Sequence, residues 1–405
     1  MRRFFQLAIF LAIAVPAHGE MQQSLAQAFE QAWARQPVAQ ALLERERAAQ
    51  ARRSAADAWT PVPVSVGLGA RSDRFNNNVG ATEYDLGLAL PLWLPGERSG
   101  SQALADAESL ALSSRAQALR LQVANECRLA WWAWQLARNE KSIVDQRVVS
   151  AARLRDDVAR RVKAGDLARA DLHQADGALA AAMAQQAEAG ALLDAARFRL
   201  QALTGQLSGE PSSQPEKPVP DPLPETLLES HPRLQALLGQ GEVSRRNLDL
   251  ARTRNRANPE LTVATRRERN VAGEALDQTW ALGVRIPFSA GARQEARLAE
   301  ANADLIEATL GADRERERLI QEIALGRSQL VAARAQREAS AERARLASEN
   351  REFVEKSFRF GQTDLPTRLR IEQEAFEAER QLNRARINEA QSLSTYRQAL
   401  GLLPE

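Results

Sequence analysis

Four short segments alternate bulky apolar residues with small or polar ones, which is the pattern of β-strands. In the clearest of them, Tyr84 to Leu92 (YDLGLALPL), the first residue and every second one after it is large and apolar. The other three segments are residues 62–70, 261–266 and 280–288. Small residues, together with the charged Asp85 and Arg285, occupy the opposite face. A sheet built from these strands would have one apolar face and one small or polar face.

This distribution is typical of strands that have lipid on one side and water on the other, each about 9–11 residues long. We therefore predict two membrane hairpins, at residues 62–92 and 260–288, with Asp85 and Arg285 facing an aqueous lumen. The alternative is an ordinary half-buried sheet, which usually packs its large side chains inward and shows polar ones to water.

Outside the hairpins, the apolar residues change to the heptad spacing of coiled coils. A proline-free segment from Ser99 to Gly165 predicts one helix of ~64 residues and ~96 Å, after which a shorter helix returns. A second rod, from Gly291 to Arg359, leads to Gly361 and is followed by a helix over 365–400. Its seven-residue stripe consists of Leu325, Ala332, Ala339, Leu346, Phe353 and Phe360. We expect each rod to pack against its return helix as an antiparallel pair.

Marker residues recur about 196 positions apart, which indicates an internal duplication. The pairs are Pro37 and Pro232, Pro61 and Pro259, Pro91 and Pro287, Gly165 and Gly361, and Gly205 and Gly401. Residues 20–205 and 225–405 are thus predicted to be two copies of a helix, strand, strand, long helix, helix unit. A segment with six prolines, 206–224, joins them as an expected surface linker without a core. The first helix is predicted from Ser24 to Trp59, since Thr60 precedes Pro61.

Residues 1–19 (MRRFFQLAIFLAIAVPAHG) have the layout of a cleavable secretory signal, with two arginines, an apolar run and small residues. The residue directly after the expected cleavage site is not a cysteine, so we expect no lipid anchor there. The sole cysteine, Cys127, has no partner for an internal disulfide. No later segment has about 18 consecutive apolar residues, so membrane residence would be through strands. The 54 basic and 52 acidic residues are interleaved along helical faces, which argues against a nucleic-acid-binding protein.

Four membrane strands cannot close a barrel, and an open sheet edge in lipid leaves backbone groups unsatisfied at several kcal/mol each. Closure therefore requires other copies of the chain. Two copies would supply eight strands and three would supply twelve. The same association would cover the apolar stripes that the rods of one chain leave exposed.

The order of elements and several joints resemble the outer membrane efflux protein family, the TolC-type exit ducts of Gram-negative tripartite pumps and type I secretion systems. The joints are the strand exits LALPLWLPGERSG and VRIPFSAGARQEA, the tips RRVKAGDLARADL and FRFGQTDLPTRL, and the copy ends RLQALTG and RQALGLL. The resemblance covers Ser24 to Leu403. It implies a mainly α fold with a small membrane β part, a homotrimer whose twelve-stranded β-barrel continues into a long α-helical periplasmic barrel. The LPGERSG exit and the short length look closest to the branch that serves heavy-metal or drug exporters of the resistance-nodulation-division type.

In this family the tips, where a rod reverses, dock a periplasmic adaptor protein. The resemblance assigns that role to Gly165, Asp166, Leu167, Gly361, Thr363, Asp364 and Leu365. The alternative is that these residues form only turns and helix caps. Family members can carry acidic side chains just past the second tip that narrow the closed end, whereas this chain has Thr367 and Arg370 there. Asp171 of the first copy is the substitute candidate for such an aperture.

Aromatic and basic residues give weaker indications. Trp131, Trp132 and Trp134 lie in the middle of a rod and are expected to pack between rods, while Trp59 and Trp93 lie near strand ends, as interfacial aromatics do. Five arginines flank the outer loops and either pair with lipopolysaccharide phosphates or are ordinary loop charges: Arg71, Arg74, Arg266, Arg267 and Arg269. The sequence contains no Cys/His cluster, catalytic triad or phosphate loop, so we expect no enzyme, no cofactor and no bound metal.

The sequence thus predicts a passive duct in the outer membrane of a Gram-negative bacterium, with a long periplasmic extension. Its expected partners are two further copies of the chain, outer membrane lipid, a periplasmic adaptor and an inner membrane pump of the resistance-nodulation-division type. One alternative is a trimeric coiled-coil structural or adhesive surface protein without a conducting lumen, and another is a soluble helical scaffold. The alternating strands favour the duct, because a rod alone has no use for them. The pattern does not distinguish a metal cation, a drug or a peptide as cargo.

Overall fold

The chain folds into two long helix pairs attached to one four-stranded antiparallel sheet, and the predicted mainly α, duplicated fold class is confirmed. The computed structural model describes residues 23–205, 209, 212–219, 226–288 and 291–405. The predicted signal peptide, residues 1–19, lies outside the described residues, as does part of the predicted linker.

The first repeat begins with two helices where the sequence predicted one from Ser24 to Trp59. The elements are α1 Leu25–Ala34, α2 Pro37–Ala56, β1 Ser65–Ser72, β2 Thr82–Pro91, α3 Glu97–Ala164 and α4 Arg169–Thr204. The single helix is wrong because Pro37 is the first residue of α2 and holds the preceding Gln36 in an extended conformation, with ψ of 132°. Ser24 caps α1 by accepting a hydrogen bond from the backbone N–H of Gln27 at 3.2 Å.

The second repeat follows the same order. Its elements are α5 Thr226–Glu229, α6 Pro232–Thr253, β3 Glu260–Arg269, β4 Asp277–Arg285, α7 Gly291–Arg359 and α8 Leu365–Ala399. Pro232 repeats the role of Pro37, since it starts α6 and keeps His231 extended with ψ of 126°. The proline therefore marks the same joint in both copies.

The sheet has the strand order β1-β2-β3-β4, and every neighbouring pair is antiparallel. The central pair, β2 with β3, joins the hairpin of the first repeat to that of the second. The outer strands β1 and β4 each have one edge that no other strand among the described residues pairs with. Pairing begins later than predicted in β1 and ends earlier in β4, because Pro63 and Pro287 have no N–H to donate to a ladder.

Below the sheet, α3 packs along α4 and α7 along α8, so each rod pairs with its return helix as expected. The largest apolar cluster lies where α1 crosses the middle of α3, and it contains all three predicted mid-rod tryptophans together with Phe29 and Leu200. The indole N–H of Trp132 donates a hydrogen bond of 2.8 Å to the hydroxyl of Ser394 on α8. One chain therefore completes this core by itself.

The predicted linker is not only a surface ornament, because the carbonyl of Ser212 accepts a hydrogen bond of 2.8 Å from Gln135 of α3, and Val219 packs against a second apolar cluster. Glu216 is buried, and both its carboxylate oxygens accept hydrogen bonds from Arg128 of α3, at 2.7 and 3.0 Å. Arg397 of α8 approaches the same carboxylate at 3.3 Å. Since removing one partner would leave buried charge uncompensated, this ion pair fixes the linker to both helix pairs.

Candidate functional site

The sheet has one apolar face that the described part of the chain does not cover. The strand register places Leu68 opposite Leu86, and Val263 opposite Leu282, on this face. Leu68 and Leu282 are 81% and 75% exposed, and Trp280 is 72% exposed. Burying such large side chains is worth roughly 1.5–3 kcal/mol each, so the face is incomplete without lipid or another apolar surface.

The opposite face is small and charged, as the alternation predicts. Across one row of pairs lie Gly67, Gly87, Ala264 and Ala281. Asp85 of β2 pairs with Arg266 of β3, whose guanidinium donates a hydrogen bond of 2.8 Å to the carboxylate. Glu83 also lies 2.9 Å from Arg266 and 3.5 Å from Arg71. At the helix end of the sheet, Arg285 lies 3.7 Å from Glu260. Asp85 and Arg285 therefore share the small, polar face on which the sequence places them.

The sheet connects to the helices through a buried carboxylate. Glu97 is the first residue of α3 and is 1% exposed. It accepts hydrogen bonds from Arg254 at 2.8 Å and from Asn258 at 2.5 Å, and from the backbone N–H of Leu94 at 3.1 Å. These contacts tie the exit of the first hairpin to the entry of the second. The sequence motif LPGERSG contains this glutamate, although its role was not anticipated.

Both rods end on a glycine with positive φ, at the predicted tips. Gly165 has φ of 89° and Gly361 has φ of 71°, conformations that cost other residues energy. The turns are equivalent, since the N–H of Asp166 donates to the carbonyl of Arg161 and the N–H of Gln362 donates to that of Ser357, both at 2.9 Å. This is the pattern of a helix closed by a left-handed glycine.

The predicted docking residues differ in accessibility. Gly165, Asp166, Gly361 and Asp364 are exposed, and Leu167 and Thr363 are half-buried. Leu365 is only 1% exposed and packs inside the tip, so it supports the surface without forming part of it. The carboxylate of Asp364 caps α8 by accepting from the N–H of Thr367 at 3.1 Å, and hydrogen bonds to Thr367 hold the pKa of Asp364 below its usual value.

The three aperture candidates lie on two different helix pairs. Asp171 of α4 is half-buried and accepts a hydrogen bond of 3.0 Å from the backbone N–H of Ala168, so its carboxylate caps that helix. Thr367 is half-buried on α8, while Arg370 is exposed and lies 2.9 Å from Glu374. Their role in an aperture stays a prediction.

A contact between the two tips was not anticipated from the sequence. Phe358 of α7 is 2% exposed and lies between the guanidinium groups of Arg161, at 4.9 Å, and Arg368, at 4.6 Å. Arg161 also donates a hydrogen bond of 3.2 Å to the carbonyl of Phe358. Cation–π contacts of this kind are worth about 0.5–2 kcal/mol each. The Phe358 contact therefore fastens the tip of the first repeat to that of the second.

The predicted stripe on α7 is not the one that packs inside the chain. Leu325, Leu346, Phe353 and Phe360 are exposed, whereas the stripe one residue later, which contains Leu319, Gly326 and Ala333, is buried. Gly326 lets the two helices approach closely there, because a Cβ atom would lie only 3.2 Å from the ring of Tyr396 on α8. The small residues of this inner stripe concealed it, and a search for glycine and alanine at heptad spacing would have revealed it.

A cavity of about 610 Å³ lies between the four helices above the Phe358 contact. Its walls carry the arginines Arg147, Arg153, Arg161, Arg351, Arg359 and Arg368 and the acids Asp157, Glu355, Glu372 and Glu379. Burial raises the pKa of Glu372, an effect that the neighbouring Arg368 opposes. Arg147 lies over the ring of Phe376 at 4.4 Å and donates to the side chain of Gln185. The helix pairs are thus separated here by a polar space.

Among the described residues, no group of histidine, cysteine, aspartate and glutamate side chains could hold a metal ion. No helix in the described ranges combines the length and apolarity needed to cross a membrane.

Comparison with known proteins agrees with this geometry. The family model described as outer membrane efflux protein matches residues 28–206, which span most of the first repeat. A search of curated proteins found no match.

Solved structures are similar over nearly the whole chain. A structure of CusC, described with its folding and transmembrane channel formation, is similar with a TM-score of 0.79 and 15% identity, and the match covers 95% of this chain and 93% of the CusC chain. The CmeC outer membrane channel of Campylobacter jejuni covers 93% of this chain and 85% of its own, with a TM-score of 0.75 and 15% identity. The match to the MtrE outer membrane channel of Neisseria gonorrhoeae covers 93% of this chain and 89% of the MtrE chain, with a TM-score of 0.74 and 16% identity. The chain has the fold of these channels.

The similarity to channel structures extends to the second repeat, which lies outside the residues matched by the family model. The similar structures cover both hairpins and both rods, because each covers more than nine-tenths of the chain. The second repeat therefore shares the channel fold even though only the first matches the family model.

Proposed function

We propose that this protein is the outer membrane channel of a tripartite efflux system, through which substrates leave a Gram-negative cell without chemistry on the channel itself. The observation that carries the proposal is the two-faced sheet, apolar on one side and small and charged on the other, whose two edges are unpaired in the part of the chain that the structure describes. Backbone groups on an open edge cannot remain unsatisfied in lipid, so further copies must pair with β1 and β4.

We propose that three copies close the sheet into a twelve-stranded barrel, since the fold is that of channels and each chain supplies four strands. Asp85 and Arg285 then face the lumen, and the exposed stripe of α7 meets a neighbouring copy. α3 has 68 residues, about 102 Å at 1.5 Å per residue, which gives the helical part the length to extend far into the periplasm.

The tips are the proposed contact with a periplasmic adaptor protein, which in turn joins an inner membrane pump of the resistance-nodulation-division type. Support comes from the exposed Gly165, Asp166, Gly361 and Asp364, which surround two equivalent turns at the same end of the molecule. The cargo is proposed to be a heavy-metal cation or a drug. A deletion strain grown with metal salts and with antibiotics would show which class it exports.

Conductance of the purified protein in a planar bilayer tests the channel itself. We expect discrete conductance steps and a cross-linked species of three chains. A cross-linked trimer that never conducts would instead support a coiled-coil structural or adhesive protein without a lumen. Recovery of the protein in the soluble fraction of the cell would contradict both.

A further inference from the structure

Two arginines lie at the outer end of the apolar face of the sheet. The register pairs Arg267 of β3 with Tyr84 of β2 and with Gln278 of β4, in the row directly beyond Leu86 and Trp280. Arg269, two residues further along the strand, lies on the same face, because strand side chains alternate. The apolar face thus ends in a positively charged row on the side of the loops.

These arginines differ from their neighbours in what they contact. Arg266, one residue before Arg267 and on the opposite face, lies 2.8 Å from Asp85 and 2.9 Å from Glu83. Arg267 instead donates to the neutral amide oxygen of Gln278 at 3.1 and 3.3 Å, and Arg269 donates to the carbonyl of Gly80 at 3.1 Å. Within the described ranges, no ion pair is seen for Arg267 or Arg269. Arg266 on the inner face is thus paired with carboxylates, whereas the two arginines on the outer face are not.

The height of the row matches the boundary of a membrane. Ten residues separate Gln278, which is in the Arg267 row, from Phe288 at the other end of the apolar face. An extended chain of that length, with a rise of ~3.3 Å per residue and a tilt of ~45°, spans ~23 Å along the membrane normal, close to the ~25 Å apolar band of outer membrane barrels. Arg267 and Arg269 then lie at the level of lipid headgroups.

We infer that Arg267 and Arg269 bind phosphate groups of the lipid in the outer leaflet, the phosphorylated glucosamine headgroup of lipopolysaccharide. The inference rests on the proposed function, because it requires this face of the sheet to contact lipid. Guanidinium groups bind phosphate oxygens through paired, charge-assisted hydrogen bonds, and Arg267 can exchange its neutral amide partner for a phosphate. Of the five arginines near the outer loops, the structure selects two, and it excludes Arg71 and Arg266, which face inward.

The test is binding of purified protein in detergent micelles to three probes: bisphosphorylated lipid A, the same lipid without phosphates, and inorganic phosphate. The parent should bind bisphosphorylated lipid A, and R267Q/R269Q should bind it roughly tenfold or more weakly. In R267Q/Q278R the arginine moves to the directly opposite position on the same face, so binding should stay within about threefold of the parent. R297Q/R314Q, which removes two exposed arginines of α7, is the matched control for lost charge and should bind as the parent does.

Equal binding by R267Q/R269Q and the parent would overturn the inference, as would equal binding of lipid A with and without phosphates. If inorganic phosphate bound as tightly as lipid A, the ligand of these arginines would be a free anion, and the lipid proposal would be wrong. The measurement needs no bilayer and no conductance. A channel that conducts but shows no phosphate-dependent lipid binding contradicts only this inference, whereas a protein that fails to enter vesicles contradicts the proposed function.

Discussion

Two regions of the molecule differ in how well one chain buries their apolar side chains. They are the core around α1 and α3 and the four-stranded sheet. Trp131 and Trp132 are 1% and 2% exposed in the core, whereas Leu68 and Leu282 are 81% and 75% exposed on the sheet. Both regions have large apolar side chains, but only the core has a second layer within the chain, because a sheet face must pack against something else to be buried. The contrast separates a core that is closed by described residues of one chain from a face that those residues leave exposed.

The largest effect should come from the core. Trp131→Ala removes a buried indole and should lower the free energy of unfolding by about 3–5 kcal/mol, since the surrounding helices cannot fill the space. Urea unfolding followed by far-ultraviolet circular dichroism measures it. Trp131→Phe keeps much of the volume and should lose clearly less. Equal stability of the alanine variant and the parent would show that this core is not closed within one chain.

A charge on the apolar face of the sheet should have the next largest effect. Leu282→Arg should reduce the free energy of folding into lipid vesicles by about 2–4 kcal/mol, because the side chain would lie in the apolar part of the bilayer. The matched control is Ala281→Arg, the adjacent residue on the opposite face, for which we expect little change. A penalty for Ala281→Arg as large as that for Leu282→Arg would mean that the two faces are not lipid and water.

The tip should respond less strongly, because it is exposed. Gly165→Ala places a side chain at φ of 89° and should cost about 1–2 kcal/mol of local stability. Gly177→Ala, in the interior of α4, should instead stabilise the helix by up to about 1 kcal/mol, because neither position has neighbouring atoms within reach of a Cβ. Hydrogen exchange of amides near each position measures both. The same sign for the two variants would contradict the left-handed turn.

The last prediction concerns pH dependence and is confined to acidic solution. Burial lowers the pKa of His231 from 6.5 to about 4, so the folded protein holds this imidazole neutral. Its contribution to stability is fully present above pH 6.5 and is lost as the pH falls towards 4, since the unfolded chain binds the proton first. Melting temperatures of the parent and of His231→Gln, measured between pH 7 and 4, should differ most at neutral pH and converge at the acidic end. Parallel curves would show that His231 does not contribute.

The sequence predicted the elements whose signals are local. Gly165 and Gly361 fixed the ends of both rods, and the alternation of Tyr84 to Leu92 fixed which face of β2 is apolar, since positive φ and strand period leave few alternatives. The break at Gln36 was missed although Pro37 carried the signal. The tip itself was located correctly as a turn, while its role in docking stays a prediction.

What escaped prediction depends on contacts between distant segments. Glu216 lies in a proline-rich segment that looks like a linker, and only the buried Arg128 and Arg397 give it a place in the core. Phe358 lies outside the more regular heptad stripe that contains Phe353 and Phe360. It is buried because Arg161 of the other repeat packs over its ring. No local pattern contains such a partner.

The pairing of β2 with β3 has a consequence for how copies come together. If copies close a barrel as proposed, the contact between hairpins at β2 and β3 forms within one chain, and only the contact of β4 with β1 needs an encounter between molecules. Covalent linkage gives the first kind of contact an effective concentration of the order of millimolar. Duplication of the unit would thus halve the number of concentration-dependent steps in closing the proposed barrel.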